Sequence, residues 1–191
     1  MTRRKEIDRD KVLDCAESII LESGGRHFTL DAVAERAGIS KGGLVYTFAT
    51  KDALIHAALE REVLRFEAAV GRRLKDVESA GPAQRVLAHI EEALEEDEAS
   101  TQKAAFLVTA LVHAPTMLEP VRRLYKALLD PLRSDQPEAA DVRHALLAVE
   151  GLFLLKGLGF AEVSPQELKS VLLHARDVVR SSLAKQGTTP G

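Results

Sequence analysis

The stretch "TLDAVAERAGISKGGLVYTF", residues 29–48, decides the fold. Two short runs of helically spaced apolar residues flank Gly38, a residue able to take a positive φ, and Ser40 stands where a hydroxyl caps the second start. Ala34 is small where two helices cross closely, while Ile39 and Leu44 point into a little core. The spacing predicts a helix-turn-helix, with helices over about 29–36 and 41–47. Gly42 and Gly43 are the costly choice in it, since a glycine inside a helix costs roughly 1 kcal/mol against alanine. At N2 and N3 of the second helix they leave bare backbone at the positive end of the helix dipole, where phosphate or a base edge can approach without meeting a Cβ. The second helix of such a unit enters a major groove with its N-terminal end foremost.

The same capping device recurs around this stretch. Phe28-Thr29 with Val33, Ile39-Ser40 with Leu44 and Ala49-Thr50 with Leu54 each pair a hydroxyl N-cap with apolar residues on either side. Starts so close together make short helices, and the fourth helix runs long, from Lys51 towards Val77. Upstream, a helix over about 8–23 places Val12, Leu13, Ala16, Ile19 and Ile20 on one face, with the basic arm Arg3-Arg4-Lys5 before it and Gly24-Gly25 as its stop. Downstream the punctuation is proline. Pro82 opens a helix to about 96, another follows over about 99–113, and "APTMLEP" precedes one that ends near Leu129. "DPLRSDQP" breaks the chain again before the most apolar helix, "VRHALLAVEGLFLLKGLGF". Ser164-Pro165-Gln166-Glu167 then reads as N-cap, N1 proline and capping-box glutamate for a last helix to about Lys185, with "QGTTPG" as a frayed tail. No run alternates as a half-buried strand would, so the fold class is all-α with about nine helices.

Composition narrows the class. With 191 residues, 46% of them hydrophobic, the chain can bury a sizeable core. Cys15 is the only cysteine, which excludes an internal disulfide framework and a thiol metal cluster. No segment approaches the roughly 20 apolar residues of a membrane span, and "MTRRKEIDRDK" lacks the apolar stretch of a signal peptide, so a cytoplasmic location is expected. Net charge is −3, and the first 52 residues hold nine Lys or Arg against nine Asp or Glu, so a nucleic-acid surface must come from local placement. Aromatics make up only 4%, without tryptophan, which argues against stacking platforms for single strands. Catalysis is not expected, and neither is a metal or cofactor. None of the six histidines follows a glutamate by three residues, and His-Glu-x-x-His, G-x-S-x-G and Walker A sequences are absent.

Lys41 at N1 reaches a phosphate or a guanine edge, the Tyr46 hydroxyl one turn on can bond a phosphate oxygen, and Lys51 with the Thr29 and Thr50 hydroxyls lies at helix starts. From Ala37 to Leu54, "AGISKGGLVYTFATKDAL" resembles the TetR family of transcriptional repressors, and "TLDAVAERAG" and the G-x-x-x-T of Gly25 to Thr29 fit the same pattern. Thr47 and Ala49 depart from it, standing where many members have histidine and proline. The resemblance implies DNA contacts by Thr29, Ser40, Lys41, Tyr46 and Lys51, mostly to phosphate, with Gly42, Gly43, Val45 and Thr47 nearest the bases.

The resemblance further implies a division into a DNA-binding domain, 1–50, and a helical ligand-binding and dimerisation domain, 51–191. The partners it implies are double-stranded operator DNA, a second copy of the chain and a small-molecule effector. The helices over 141–159 and 165–185 suit the dimer bundle, the former being apolar almost all round and carrying Gly151, Gly157 and Gly159. Candidates for the effector site are Phe66, His89, Phe106, Thr109, His113, Met117, Tyr125, Glu150 and Phe153. Glu150 stands out, because a carboxylate inside "LLAVEGLFLL" must be paired, neutral or facing a wet cavity. The function expected is a homodimeric repressor released from a near-palindromic operator by a small molecule. The alternative is a helix-turn-helix regulator controlled by a protein partner.

Overall fold

The computed structural model describes residues 7–23, 26–133 and 136–186. The arm Arg3-Arg4-Lys5, the Gly24-Gly25 stop, the middle of "DPLRSDQP" and nearly all of the "QGTTPG" tail lie outside those residues. Nine α-helices occur among the described residues, in the order α1 Arg9–Ser23, α2 Leu30–Ala37, α3 Lys41–Thr47, α4 Lys51–Arg73, α5 Pro82–Ala93, α6 Glu98–Ala110, α7 Glu119–Leu129, α8 Pro137–Gly157 and α9 Pro165–Gln186. None is long and apolar enough to cross a membrane. They group into two compact units, Met1–Glu62 with Glu98–Glu119, and Val63–Asp97 with Pro120–Gly191.

In the first unit the helix ends are where the hydroxyls put them. Thr29 Oγ1 accepts from Ala32 N at 3.1 Å, Ser40 Oγ from Gly43 N at 3.1 Å and Thr50 Oγ1 from Ala53 N at 3.0 Å. Gly38 closes α2 at φ 69°, the left-handed conformation the turn between α2 and α3 requires. Val12, Leu13, Ala16, Ile19 and Ile20 form the buried face of α1, which packs on α2 and α6, and α2 packs on α3. Leu44 is completely buried, so cutting it to alanine would cost about 2–5 kcal/mol.

The second unit is built on α8 and α9, with α5 against both. Val86, Ile90, Val142, Leu146, Val149, Leu172 and Val179 lie in its core. Four helices stop earlier than the apolar pattern suggests. α5 ends at Ala93 rather than near 96, as Glu95 N turns back to Glu92 O. α4 ends at Arg73 rather than near Val77, because Leu74 N turns back to Gly71 O and the Asp76 carboxylate accepts from Glu78 N and Ser79 Oγ, fixing a competing turn. α6 gives way after Ala110 to a turn closed by Leu111 N to Val108 O, followed by a 3-10 turn over Pro115–Leu118. α8 ends at Gly157 because Gly159 takes φ 69° and Phe160 N caps Leu155 O.

Candidate functional site

α3 turns two opposite faces outward and inward. Lys41, Gly42, Val45 and Tyr46 are exposed, Gly43 and Thr47 are half-buried, and Leu44 and Phe48 are buried. Tyr46, at 84% exposure, holds its ring outside the core. A Cβ built on Gly42 would meet nothing within 4 Å, whereas one on Gly43 would come within 2.8 Å of Ile7 Cδ1 and 3.3 Å of Ser40 Oγ. The two glycines therefore differ. Gly42 is bare towards solvent, and Gly43 also makes room for a neighbouring side chain. The Gly43 N–H is spent on the Ser40 cap, so an approaching phosphate cannot take it without breaking the cap.

The other candidate contacts are held but not buried. Lys41 Nζ pairs with Asp31 at 2.9 Å, with both side chains more than half exposed, and a pair of that kind is worth about 0–1 kcal/mol and is readily exchanged for a phosphate. Lys51 Nζ lies 5.4 Å from the centroid of the Phe28 ring, which steadies the ammonium at the start of α4. The caps occupy oxygen lone pairs on Thr29 and Thr50 and leave each hydroxyl hydrogen for an acceptor outside the helix. Thr47 is different, because its Oγ1 donates to Gly43 O at 3.2 Å, so its hydroxyl faces its own helix.

The effector candidates fall into both units. Phe106, Thr109, His113 and Met117 belong to the first. There Phe106 meets Phe28 edge-on at 6.0 Å, Thr109 bonds back to Phe106 O, exposed His113 pairs with Asp52 at 2.8 Å, and Met117 O bonds His56 Nδ1 at 2.8 Å. Phe66, His89, Tyr125, Glu150 and Phe153 belong to the second. His89 Nε2 lies 2.7 Å from Glu150 Oε1, the Tyr125 hydroxyl donates to Glu150 Oε2 at 2.5 Å, and Phe66 packs edge-on against the His89 ring at 4.9 Å. Of the three states open to Glu150, pairing is the one adopted. Burial first, then the charge and hydrogen bond of Glu150, push the Tyr125 phenol far above its ordinary range.

A charge network in the first unit escaped the sequence reading. Lys103 Nζ on α6 sits 3.1 Å from Glu17 Oε2 on α1 and 2.7 Å from Glu62 Oε2 on α4, and Arg61 joins through Glu17 and Asp14. The signal was present as charge at core-facing positions, since Lys103 precedes buried Leu107 by four residues and Glu62 follows buried Ala58 by four.

A capped helix-turn-helix with its second helix exposed at the N-terminal end, followed by a separate helical bundle, defines the class: a DNA-binding transcriptional regulator. The family profile described as "Bacterial regulatory proteins, tetR family" matches residues 12–58, and "Tetracyclin repressor-like, C-terminal domain" matches residues 83–179. The chain belongs to the TetR family. Among relatives it is 32% identical over 197 residues to the HTH-type transcriptional regulator BetI of Burkholderia thailandensis, covering 94% of this chain and 95% of that one. It is 28% identical over 188 residues to BetI of Cronobacter sakazakii, covering 93% and 92%. Among solved structures, a transcriptional regulator from Rhodococcus sp. Rha1 superposes with a TM-score of 0.64 at 23% identity, over 96% of this chain and 100% of that one. The multidrug binding protein EbrR, complexed with imidazole, gives a TM-score of 0.64 at 22% identity, over 91% and 93%.

Proposed function

We propose that the protein is a homodimeric repressor that binds a near-palindromic operator and leaves it when a small molecule binds in the second unit. The observation that carries this reading is the exposed N-terminal edge of α3, where Lys41, bare Gly42 and the outward ring of Tyr46 lie on the exposed side of a helix whose Leu44 is buried in the core. Thr29, Ser40 and Lys51 add donors at the neighbouring helix starts, and Val45 is the apolar side chain on the same face of α3.

A second copy of the chain fits the free face of α8. Leu147, Leu154, Leu155 and Leu158 each remain more than 40% exposed and share one side of the helix with Gly151, on which a Cβ would meet nothing within 4 Å. An apolar stripe with a bare glycine at its centre suits close approach by an identical helix about a two-fold axis. For the effector, the polar cluster of His89, Tyr125 and Glu150 beside Phe66, with Phe153 one turn beyond Glu150, gives the second unit a few placed polar groups in apolar surroundings, the pattern of a small-molecule site.

The test is to capture fragments of the organism's own genome with the purified protein and map the protected bases. The expected result is an inverted repeat with half-sites about one helical turn, ~34–36 Å, or a multiple apart, bound by a species of twice the chain mass. Tight operator binding by a monomer would overturn the dimer, and binding without sequence preference would overturn the operator.

A further inference from the structure

The polar cluster of the second unit leaves one atom unused. His89 Nε2 bonds one oxygen of Glu150 and the Tyr125 hydroxyl bonds the other, so both carboxylate oxygens are engaged within the unit. His89 Nδ1 is buried and has no hydrogen-bond partner among the described residues, on a side chain only 6% exposed. Val86 and Ile90 share α5 with His89 and belong to the core, as Val149 does next to Glu150 on α8, and the Phe66 ring stands edge-on to the imidazole with the planes 71° apart.

The proton positions follow from the partners. A carboxylate has no hydrogen to give, so Nε2 carries the one in the His89–Glu150 bond. In the neutral ring Nδ1 is then a bare acceptor. A second proton on the ring would instead bury an N–H with nothing to receive it, the rarer kind of orphan. No Lys or Arg pairs with Glu150 among the described residues, so its carboxylate has only the His89 ring and the Tyr125 hydroxyl as partners. A buried charge of that kind asks for a counter-charge.

We propose that His89 Nδ1 selects the effector: it accepts the N–H of a primary or secondary ammonium carried on an apolar body, and Glu150, on the far side of the ring, supplies the opposite charge. The assignment rests on the effector reading above. Glu150 acts through His89, because each of its oxygens already accepts a bond from inside the unit while His89 Nδ1 is the buried polar atom with no partner, and it makes Nδ1 a stronger acceptor, as a carboxylate does for any imidazole it holds. Three discriminations follow. A quaternary ammonium brings the charge without the hydrogen, an alcohol brings the hydrogen without the charge, and a carboxylate brings a charge of the wrong sign.

Calorimetric titration of the full-length protein with naphthylethylamine, its N-trimethylated analogue, naphthylethanol and naphthylpropionate reads these differences on one apolar body. The amine should bind at least about tenfold more tightly than the trimethylated compound or the alcohol, as one charge-assisted hydrogen bond provides, and the carboxylate should not bind. In the double variant His89→Leu/Glu150→Gln, which leaves no buried charge and keeps a partner for Tyr125, the preference should vanish. Nitrogen-15 spectra of the His89 ring should show Nδ1 without a proton in the free protein, and its resonance should move when the amine is added. A protonated Nδ1, equal binding of the four compounds, or a preference that survives in the double variant overturns the assignment. If the naphthyl compounds fail while other apolar compounds raise the melting temperature, the assignment falls and the effector reading stands. If no compound of a broad apolar set does either, both fall.

Discussion

Gly42 has no neighbour that needs its side chain absent, which makes it the sharper probe of the proposed DNA-reading edge. Gly42→Leu replaces a poor helix former by a good one at an exposed position, so the folded protein should gain about 0.5–1 kcal/mol while operator affinity collapses, because the new side chain stands on the edge proposed to meet the groove. Denaturation and gel-shift measurements on one preparation check both halves, and unchanged affinity would mean that α3 meets the duplex elsewhere. Gly43→Leu is less clean, since its side chain also has to displace Ile7. Lys41→Ala and Lys51→Ala should weaken binding to specific and random duplexes alike and lower the salt slope by about 1 for each lost phosphate contact. Tyr125 answers to pH rather than to DNA. Its folded phenol is raised above the unfolded value of about 10, so above that pH the unfolded chain has lost a proton that the native one keeps, and stability must fall as pH rises. Tyr125→Phe should flatten that fall between about pH 9 and 11, as read from urea midpoints, and equal slopes in the two proteins would contradict the buried, Glu150-bonded phenol.

Among the elements, α1, α4 and α6 share the most exposed weakness, the network around Lys103. Lys103 and Glu62 side chains are each only 7% exposed, so Lys103→Met would remove the cation that the Glu62 and Glu17 carboxylates share and cost up to about 3–5 kcal/mol. Adding Glu62→Gln should return most of that loss, because burying a neutral pair is far cheaper than burying one charge. Urea denaturation of the single and double variants forms the test, and a single-variant loss under about 1 kcal/mol would show that water reaches the pair. These elements also show what the sequence could and could not reveal. α3 was legible to the residue, and α2 within one, because Thr29, Ser40 and Gly38 fix their ends through their own local bonds. The buried face of α1 was legible from period alone. The end of α4 was not, since it depends on Asp76 folding back on Glu78 and Ser79. Lys103 in "STQKAAF" was passed over, and its partners lie 86 and 41 residues away, a pairing that only the packing of three helices creates. Glu150 was legible as an anomaly, but its partners, 61 and 25 residues earlier in the chain, were not legible as partners, and neither was the leftover nitrogen on His89.

For the whole molecule, the proposed function needs a connection between operator and effector, and α4 is the element to test, because it runs unbroken from Lys51 to Arg73 while the division between the units falls between Glu62 and Val63. Its first turns carry the candidate contact Lys51, and its later turns carry Phe66, which touches His89. A helix is stiff along its axis, so under the proposed function an effector that repositions Phe66 would bias the direction of the first turns of α4, and the two recognition helices of the proposed dimer would lose their register together. The coupling required is modest. About 1–3 kcal/mol between the effector and operator sites gives a 5- to 150-fold loss of operator affinity, and linkage demands that saturating operator weaken the effector by the same factor. Phe66→Ala should therefore reduce the coupling in both directions while leaving operator affinity of the free protein within about threefold, since the substitution lies outside the DNA-reading edge. The measurement is a pair of titrations, operator against effector-saturated protein and effector against operator-saturated protein, in wild type and variant. Equal coupling in the two proteins would remove α4 from the path, and an effector that binds tightly without changing operator affinity at all would leave control by a protein partner as the better reading of the second unit.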